Sequence, residues 1–203
     1  MMEEKLIKTD ADKVEKIALH FKEIMLALGL DLNDPSLAKT PYRVANMYVN
    51  EVFQGLNPSH FPSMTTVPND YTDGHPSHFV FVSVSFTSFC EHHFVPMHGY
   101  AYVAYRPKKK LLGLSKIPRL VRYCARRPQL QERLTSQVAD LLAQYVESED
   151  VAVSIAATHF CVIARGIEDQ CSKTITNVMR GGFETDMALR QEFFEAVRRE
   201  HHD

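Results

Sequence analysis

A chain of 203 residues with 45% apolar content can bury one sizeable core and carry a small helical region beside it. Its formal net charge of −2 does not favour nucleic acid or an anionic membrane as a partner. The N-terminus lacks the basic-then-apolar pattern of a secretory signal, and no apolar run approaches a membrane span, so we expect a cytoplasmic protein. In that compartment, four cysteines are more often reduced thiols or metal ligands than disulfides.

Two helices are predicted near the N-terminus. Apolar residues recur at helical spacing over residues 14–28, and Gly29 is typical of a helix end. The second helix is predicted over residues 40–55, with Thr40 as its cap and Pro41 at its first helical position. The first part of the chain is therefore expected to be helical.

A loop or linker is predicted over residues 56–77, which contain four prolines and show no periodicity. This segment divides the chain into an N-terminal helical region with its linker, residues 1–77, and a main domain, residues 78–203. All four cysteines lie in the main domain.

The main domain is predicted to be α+β, in the order strand–strand–helix–helix–strand–strand. Alternating apolar residues indicate strands over 79–90 and 99–105, joined as an antiparallel hairpin. Two helices follow, the first capped by Ser115 and the second opened by Pro128. Two further strands and a final helix are predicted over 151–164, 172–180 and 184–199.

The first predicted strand ends in a group of metal-binding residue types, Cys90-Glu91-His92-His93. Cys90 and His93 are three residues apart, the spacing at which a tight turn brings both side chains to one ion. Thiolate and imidazole are the ligands that zinc selects. The motif therefore predicts part of a zinc site.

A second group of the same residue types, His159 and Cys161, lies in a later predicted strand. Alternating side chains of a strand place both residues on one face, so Cys161 can join Cys90 and His93. His159 is then either a fourth ligand or an acid–base group. We favour the acid–base role, because a catalytic zinc keeps one position open for water.

Buried thiols and core histidines are the ordinary alternative for any one of these residues. Their grouping in two clusters, with an adjacent His-His pair, favours a metal site. Cys124 fits the apolar face of its predicted helix and is interpreted as a core residue. Cys171 could replace Cys161 as a ligand, but no histidine neighbours it, so we interpret it as structural.

Positive charge is concentrated in one segment, residues 92–131, which contains nine Lys or Arg and no Asp or Glu. Ser115, Lys116 and Arg119 lie at the start of a predicted helix, where free backbone N–H groups favour an anion such as a polyphosphate. Arg165, beyond the second metal-ligand group, could add another guanidinium. A solvated basic helix face is the alternative, and RNA binding is disfavoured because no aromatic stacking motif accompanies the charge.

Gln131 and Glu132 are predicted in the first turn of the next helix. A carboxylate can accept hydrogen bonds from N1 and the exocyclic amine of guanine, whereas it repels the N1 lone pair of adenine. The alternative is that Glu132 complements the positive end of the helix dipole. The residue types alone favour this alternative.

At these residues the chain resembles GTP cyclohydrolase I, and the resemblance covers residues 40–200. In combination the motifs that carry it are highly specific. They are Cys90-Glu91-His92-His93, Gly113-Leu114-Ser115-Lys116-Ile117, Arg127-Pro128-Gln129-Leu130-Gln131-Glu132-Arg133-Leu134-Thr135, and His159-Phe160-Cys161 with Ala164-Arg165-Gly166-Ile167.

The resemblance implies the tunnelling fold for residues 78–203, an α+β unit whose copies join edge to edge into a β-barrel ring. It implies two stacked rings, a homodecamer, with active sites at subunit interfaces. It also implies a zinc-dependent reaction of GTP with water that gives formate and 7,8-dihydroneopterin triphosphate, the first step toward tetrahydrofolate and related pterins. GTP and Zn²⁺ are thus the expected substrate and cofactor.

Carried over position by position, the resemblance implies roles for single residues. Cys90, His93 and Cys161 resemble the zinc ligands. His92 and His159 resemble the pair that transfers protons near the imidazole ring of GTP.

The resemblance also implies a set of substrate contacts. Ser115 and Gln131 correspond to catalytic neighbours of the ribose and base, and Glu132 to the guanine anchor. The expected triphosphate ligands are Lys116, Arg119 and Arg165, joined by Arg43 from the N-terminal helical region of a neighbouring subunit.

Three other functions are compatible with parts of the pattern. A zinc deaminase would show His-x-Glu and Pro-Cys-x-x-Cys signatures, which the sequence lacks. A tunnelling-fold nitrile reductase would use Cys90 as a nucleophile, with a nicotinamide and no metal. A non-enzymatic, zinc-stabilised binding protein would unfold on chelation without turning over GTP.

Overall fold

The computed structural model describes residues 9–70 and 78–200, which fall into two units divided between Leu56 and Asn57. The first unit is helical. It contains α1, Asp10–Ala27, and α2, Thr40–Met47, followed by a π-helical turn, Tyr48–Val52, and a 3₁₀ turn, Gln54–Leu56.

The ends of α1 follow from its sequence. Thr9 Oγ1 accepts a hydrogen bond from the Asp12 amide at 3.1 Å, and Asp12 Oδ2 accepts one from the Thr9 amide at 3.0 Å, which forms a capping box. Gly29 adopts φ +77° just after the helix, a conformation that favours glycine. The predicted helix and its stop are confirmed.

α2 differs from its prediction in how it begins and ends. Thr40 is its first helical residue and not its cap, and the N-cap residue, Lys39, makes no capping hydrogen bond through its side chain. The predicted single helix over residues 40–55 changes to π-helical geometry at Tyr48. Helical apolar spacing does not distinguish these helix types, so the boundary could not be predicted.

The second unit is built on a five-stranded sheet with the spatial order β5–β2–β3–β6–β7, while β1 and β4 form a separate antiparallel pair. Within the larger sheet, β5 pairs with β2 in parallel and the other pairs are antiparallel. The strands are β1 Thr66–Pro68, β2 Val80–Cys90, β3 Pro96–Tyr105, β4 Lys110–Leu112, β5 Pro128–Gln129, β6 Val151–His159 and β7 Thr174–Met179.

Helices cover both faces of this sheet. Because successive strand residues point to opposite faces, Val103 joins the core under α3 and α4, whereas Tyr102 joins a smaller core under α7 with Phe193. Each fully buried large apolar side chain stabilises the fold by about 1.5–3 kcal/mol. The helices are α3 Lys116–Ala125, α4 Gln131–Val146, α5 Phe160–Ile163, α6 Gly182–Thr185 and α7 Met187–Glu200.

The α+β class, the β2–β3 hairpin and the predicted order of the larger elements are confirmed, and three details are corrected. Residues 66–68, within the predicted loop, form β1. Pro128 does not open a helix but begins the short strand β5, and α4 starts at Gln131. The strand predicted over residues 151–164 ends at His159, where the helical turn α5 takes over.

The two units divide between Leu56 and Asn57, at the start of the segment predicted as a linker. The strand β1 pairs with β4, which ties residues 66–68 to the second unit. The last part of the predicted linker, residues 71–77, lies outside the described residues. Within the described part of the chain, no helix has both the length and the apolar character needed to cross a lipid bilayer.

Candidate active site

The register of the sheet brings three segments that are distant in sequence to one edge of the sheet, at the ends of its strands. Phe89 near the end of β2 lies opposite Pro96 at the start of β3, and Met97 lies opposite His159 at the end of β6. On the other side of β2, Cys90 pairs with Gln129, two residues before α4 begins. The two metal-ligand groups and the first turn of α4 therefore meet at this edge.

A tight turn at the end of β2 presents Cys90 and His93 together. The Phe94 amide donates to the Cys90 carbonyl at 2.8 Å, and the Cys90 amide donates to the Val95 carbonyl at 2.9 Å. Phe94 has φ +54°, which reverses the chain direction. Cys90 Sγ and His93 Nδ1 lie 3.8 Å apart as a result.

Cys161 completes this cluster, but not by the expected geometry. It lies in the helical turn α5 and not on a strand face shared with His159. The potential ligand atoms of Cys90, His93 and Cys161 all lie within 4.8 Å of one another. The predicted convergence of these three residues is thus observed.

The cluster fits a tetrahedral zinc ion. Zinc–sulfur and zinc–nitrogen bonds of about 2.3 and 2.0–2.1 Å place tetrahedral ligand atoms about 3.6–3.8 Å apart, so the three groups need to close by roughly 1 Å at most. Burial raises the pKa of the Cys161 thiol, and the neighbouring Cys90 adds to the rise. A bound cation acts in the opposite direction, since it favours the thiolate.

Arg165 reaches the cluster, and His92 lies beside it. Arg165 Nη1 is 3.1 Å from His93 Nε2, so a guanidinium borders the candidate metal centre. The ring of His92 stands edge-on to that of His93, with centroids 6.3 Å apart, and its side chain is exposed. Both residues are therefore accessible to a ligand that approaches the cluster.

His159 is held by a buried glutamine. Gln131 is 2% exposed, and its Nε2 donates to the carbonyl oxygens of Ile155 and Thr174 at 3.0 Å each. Because carbonyls only accept, the amide nitrogen must face them, and Gln131 Oε1 therefore faces His159 Nε2 at 2.7 Å. His159 Nε2 carries the hydrogen in this bond, which leaves Nδ1 as the acceptor of the neutral ring.

Glu132 follows Gln131 in the first turn of α4 and is exposed. Burial lowers the pKa of His159, and the negative charge of Glu132 opposes this shift. The predicted base anchor and the predicted proton-transfer residue are thus electrostatic neighbours at the metal-binding edge.

The predicted anion site at the start of α3 lies away from the metal cluster within one chain. The C-terminal end of α3 is near the metal-binding turn, since Ser88 Oγ donates to the Ala125 carbonyl at 2.6 Å. Ser115 and Lys116 belong to the opposite end, a helix length of about 15 Å away, and Arg119 lies about one turn inside that end. Ser115 occupies the N-cap position but makes no capping hydrogen bond through its side chain.

The other cysteines and the remaining basic residues lie elsewhere. Cys124 is 1% exposed in the core, as predicted, and burial raises its pKa to about 11. Cys171 is exposed and does not belong to the metal cluster found among the described residues. Arg43 lies in α2 of the first unit, so its role stays a prediction.

Comparison with known proteins now bears on this arrangement. The family model described as GTP cyclohydrolase I matches residues 17–198. The chain belongs to the GTP cyclohydrolase I family. Proteins named GTP cyclohydrolase 1 are similar to it at 50% identity in Aeromonas salmonicida, covering 92% of this chain and 84% of the relative, and at 48% in Vibrio cholerae, covering 94% and 87%.

Family membership at this level establishes an enzyme with GTP cyclohydrolase activity, acting on GTP in pterin metabolism. The family is known for a metal cofactor, and among the described residues the Cys90–His93–Cys161 cluster could bind one. Among solved structures, the apo archaeosine synthase QueF-Like aligns with a TM-score of 0.44 at 18% identity, covering 54% of this chain and 98% of that one. We infer nothing from a likeness of this size.

Two residues near the site were not singled out from the sequence. Glu91 and Arg133 form a bidentate ion pair between the metal-binding turn and α4. The signal was present, because Glu91 is the one acidic residue of its motif and Arg133 directly follows Glu132. The two residues are 42 positions apart in sequence, so their contact could not be predicted without the register of the sheet.

Proposed function

We propose that this chain catalyses the zinc-dependent reaction of GTP with water at purine C8, with rearrangement to 7,8-dihydroneopterin triphosphate and release of formate. This reaction would be the entry to tetrahydrofolate and related pterins. The observation that carries the proposal is the convergence of Cys90, His93 and Cys161 within 4.8 Å, at the edge where His159 is also held. A metal centre and an acid–base group side by side are what hydrolysis of a purine ring requires.

The donor set supports zinc as the metal. Two thiols and one imidazole are ligands that zinc prefers, and three protein ligands leave the fourth position open, as in catalytic zinc sites. When bound, zinc supplies a Lewis acid that lowers the pKa of water toward neutrality. Cys90, His93 and Cys161 would hold it.

Two histidines supply proton transfer in this proposal. In its protonated form His159 donates the Nδ1 proton to purine N7, which makes the adjacent C8 electrophilic, while the Nε2–H bond to Gln131 keeps its ring in one orientation. His92, exposed next to the cluster, is assigned to the later proton transfers. An imidazole suits both directions of transfer because its ordinary pKa lies near neutrality.

Substrate binding is assigned to groups around this centre. Glu132 accepts hydrogen bonds from N1 and the exocyclic amine of guanine, which excludes adenine. Gln131 and Ser115 are assigned as neighbours of the base and ribose. Cationic side chains bind the triphosphate remote from the reacting carbon and thereby orient C8. These cations are Lys116, Arg119 and Arg165.

The position of α3 supports a site shared between subunits. Within one chain, Ser115 and Lys116 lie about a helix length from the end of α3 that adjoins the metal-binding turn, and Arg119 lies about one turn closer. We therefore assign them to the site of a neighbouring subunit, where Arg43 is also assigned. This arrangement agrees with the tunnelling fold and homodecamer implied by the sequence resemblance.

Incubation of the purified protein with GTP tests the proposal. We expect stoichiometric formate and, after oxidation, a fluorescent pterin, and both should disappear when a chelator removes the metal and return with zinc. Ammonia in place of formate would support a deaminase, and dependence on a reduced nicotinamide would support a reductase. Either result, or turnover unaffected by complete metal removal, would reject the proposed function.

A further inference from the structure

We propose that the ion pair between Glu91 and Arg133 is a positioning element that ties the metal-binding turn to the first turn of α4. It acts through its neighbours, Cys90 and His93 on the turn and Glu132 on the helix. The inference rests on the proposed function and adds two positioning residues to it.

The geometry of the pair fixes both distance and orientation. Arg133 Nη1 lies 2.5 Å from Glu91 Oε2, and Arg133 Nη2 lies 3.2 Å from Glu91 Oε1. Two parallel N–H···O bonds between planar groups restrict rotation as well as separation. A single bond between the side chains would restrict their separation but not their relative rotation.

The backbone of Glu91 supports the same connection. Its amide donates to the Gln129 carbonyl at 3.1 Å, in line with the parallel pairing of β2 and β5. Gln129 lies two residues before α4, and its own Nε2 donates to the buried Cys124 carbonyl at 2.9 Å. Glu91 is therefore joined through both backbone and side chain to the segment that starts α4.

Stability alone does not account for this pair. The side chains of Arg133 and Glu91 remain 46% and 28% exposed, and solvent-exposed ion pairs contribute little net stability. The location of the pair distinguishes it. Glu91 lies in sequence between the candidate ligands Cys90 and His93, and Arg133 directly follows Glu132. A displacement of about 1 Å between metal and substrate can lower a rate roughly a hundredfold, so a rigid connection here affects catalysis.

Glu91→Gln and Arg133→Met test the proposal, measured for zinc affinity by chelator competition and for steady-state turnover of GTP. We expect each variant to lower kcat about tenfold or more and to weaken zinc binding severalfold, with a smaller change in KM. The exchanged pair, Glu91→Arg with Arg133→Glu, should recover part of both losses. Asp140→Asn breaks the exposed pair with Arg180 and serves as the matched control, expected to match the parent.

Parent-like zinc affinity and kcat in Glu91→Gln and Arg133→Met would overturn the proposal, as would losses explained entirely by a lower melting temperature. A parent that binds zinc but does not turn over GTP would reject the proposed function alone, because zinc affinity still decides the role of the pair. Weaker zinc binding in both variants, with Asp140→Asn unchanged, would then support the positioning role on its own.

Discussion

At the scale of single residues, the surroundings of the four cysteines separate their roles. Cys124 is buried in the apolar core and its raised pKa of about 11 keeps it a neutral thiol. Cys90 and Cys161 instead approach an imidazole and each other. Two neighbouring thiolates repel one another, and a shared cation would offset that repulsion. The short distances between Cys90, His93 and Cys161 therefore support the proposal that they bind a metal.

Replacement of Cys161 by serine should remove the metal and leave the fold intact. Cys161 is only partly buried in a helical turn, so the substitution costs little packing, but a neutral hydroxyl is a poor zinc ligand. Zinc content measured on the purified variant should fall to near zero, with loss of formate release. Cys171→Ser is the matched control, because that thiol is exposed outside the cluster and its loss should leave zinc unchanged. Stoichiometric zinc in Cys161→Ser would contradict the ligand assignment.

Replacement of Gln131 by methionine should damage both stability and turnover. The carbonyls of Ile155 and Thr174 would each lose a donor, which costs about 1–3 kcal/mol for a buried group left unsatisfied. The ring of His159 would lose the contact that orients it. The unfolding free energy measured in urea and kcat should both decrease, whereas Ser136→Ala on the same helix should change neither. An unchanged unfolding free energy would show that the amide network contributes nothing.

At the scale of elements, β3 depends on a glycine where it meets β6. A Cβ on Gly99 would lie 2.0 Å from the Ala156 carbonyl oxygen and 2.6 Å from Ala157 Cα. The contact is to backbone, so neither strand can move aside without breaking the ladder. Gly99→Ala should therefore destabilise the protein by about 3 kcal/mol or more, as measured by chemical denaturation. Gly113→Ala, whose nearest neighbours lie at 3.5 Å, should be tolerated, and equal loss in both variants would refute the steric argument.

Elements with strong periodicity could be predicted from sequence, and short ones could not. The alternation in β2 and the apolar face of α4 each extend over many residues, so a few exceptional residues do not obscure the periodicity. β1 and β5 have three and two residues and exist because of their partners in space. The end of β6 at His159 also depends on tertiary structure, since Val162 and Ile163 favour a strand by local preference.

The candidate site shows the same contrast. The residue types and their spacing predicted the convergence of Cys90, His93 and Cys161, even though Cys161 reaches it from a helical turn. The distance between α3 and the cluster could not be predicted, because it depends on the direction in which the helix crosses the sheet. The bond between Gln131 and His159 likewise joins side chains that only the fold brings together.

At the scale of the whole molecule, the apolar side chains exposed on a single chain are compatible with the proposed assembly. Large apolar side chains remain widely exposed, among them Leu28 at 71%, Leu114 at 66%, Ile167 at 79% and Ile175 at 63%. In homo-oligomers, apolar patches on the surface of one subunit are commonly covered by an identical subunit. A homodecamer of this chain would have a mass of about 232 kDa, ten times 23.2 kDa, which light scattering can measure.

Complementation between two inactive variants should reveal whether sites are shared. Arg119→Ala removes a proposed triphosphate ligand in the first half of α3, and Cys161→Ser removes a proposed metal ligand, so each homo-oligomer should be inactive. If α3 serves the neighbouring site, mixed oligomers formed by co-refolding contain sites with one intact metal centre and one intact Arg119. Random equal mixing should restore about a quarter of parental activity, because each site needs the right variant on both sides of its interface.

The control mixes the parent with Cys161→Ser and should retain about half, since only the metal-bearing chain then matters. A mixture of the two variants that stays inactive while the control retains its activity would show that Arg119 and the metal cluster act within the same subunit.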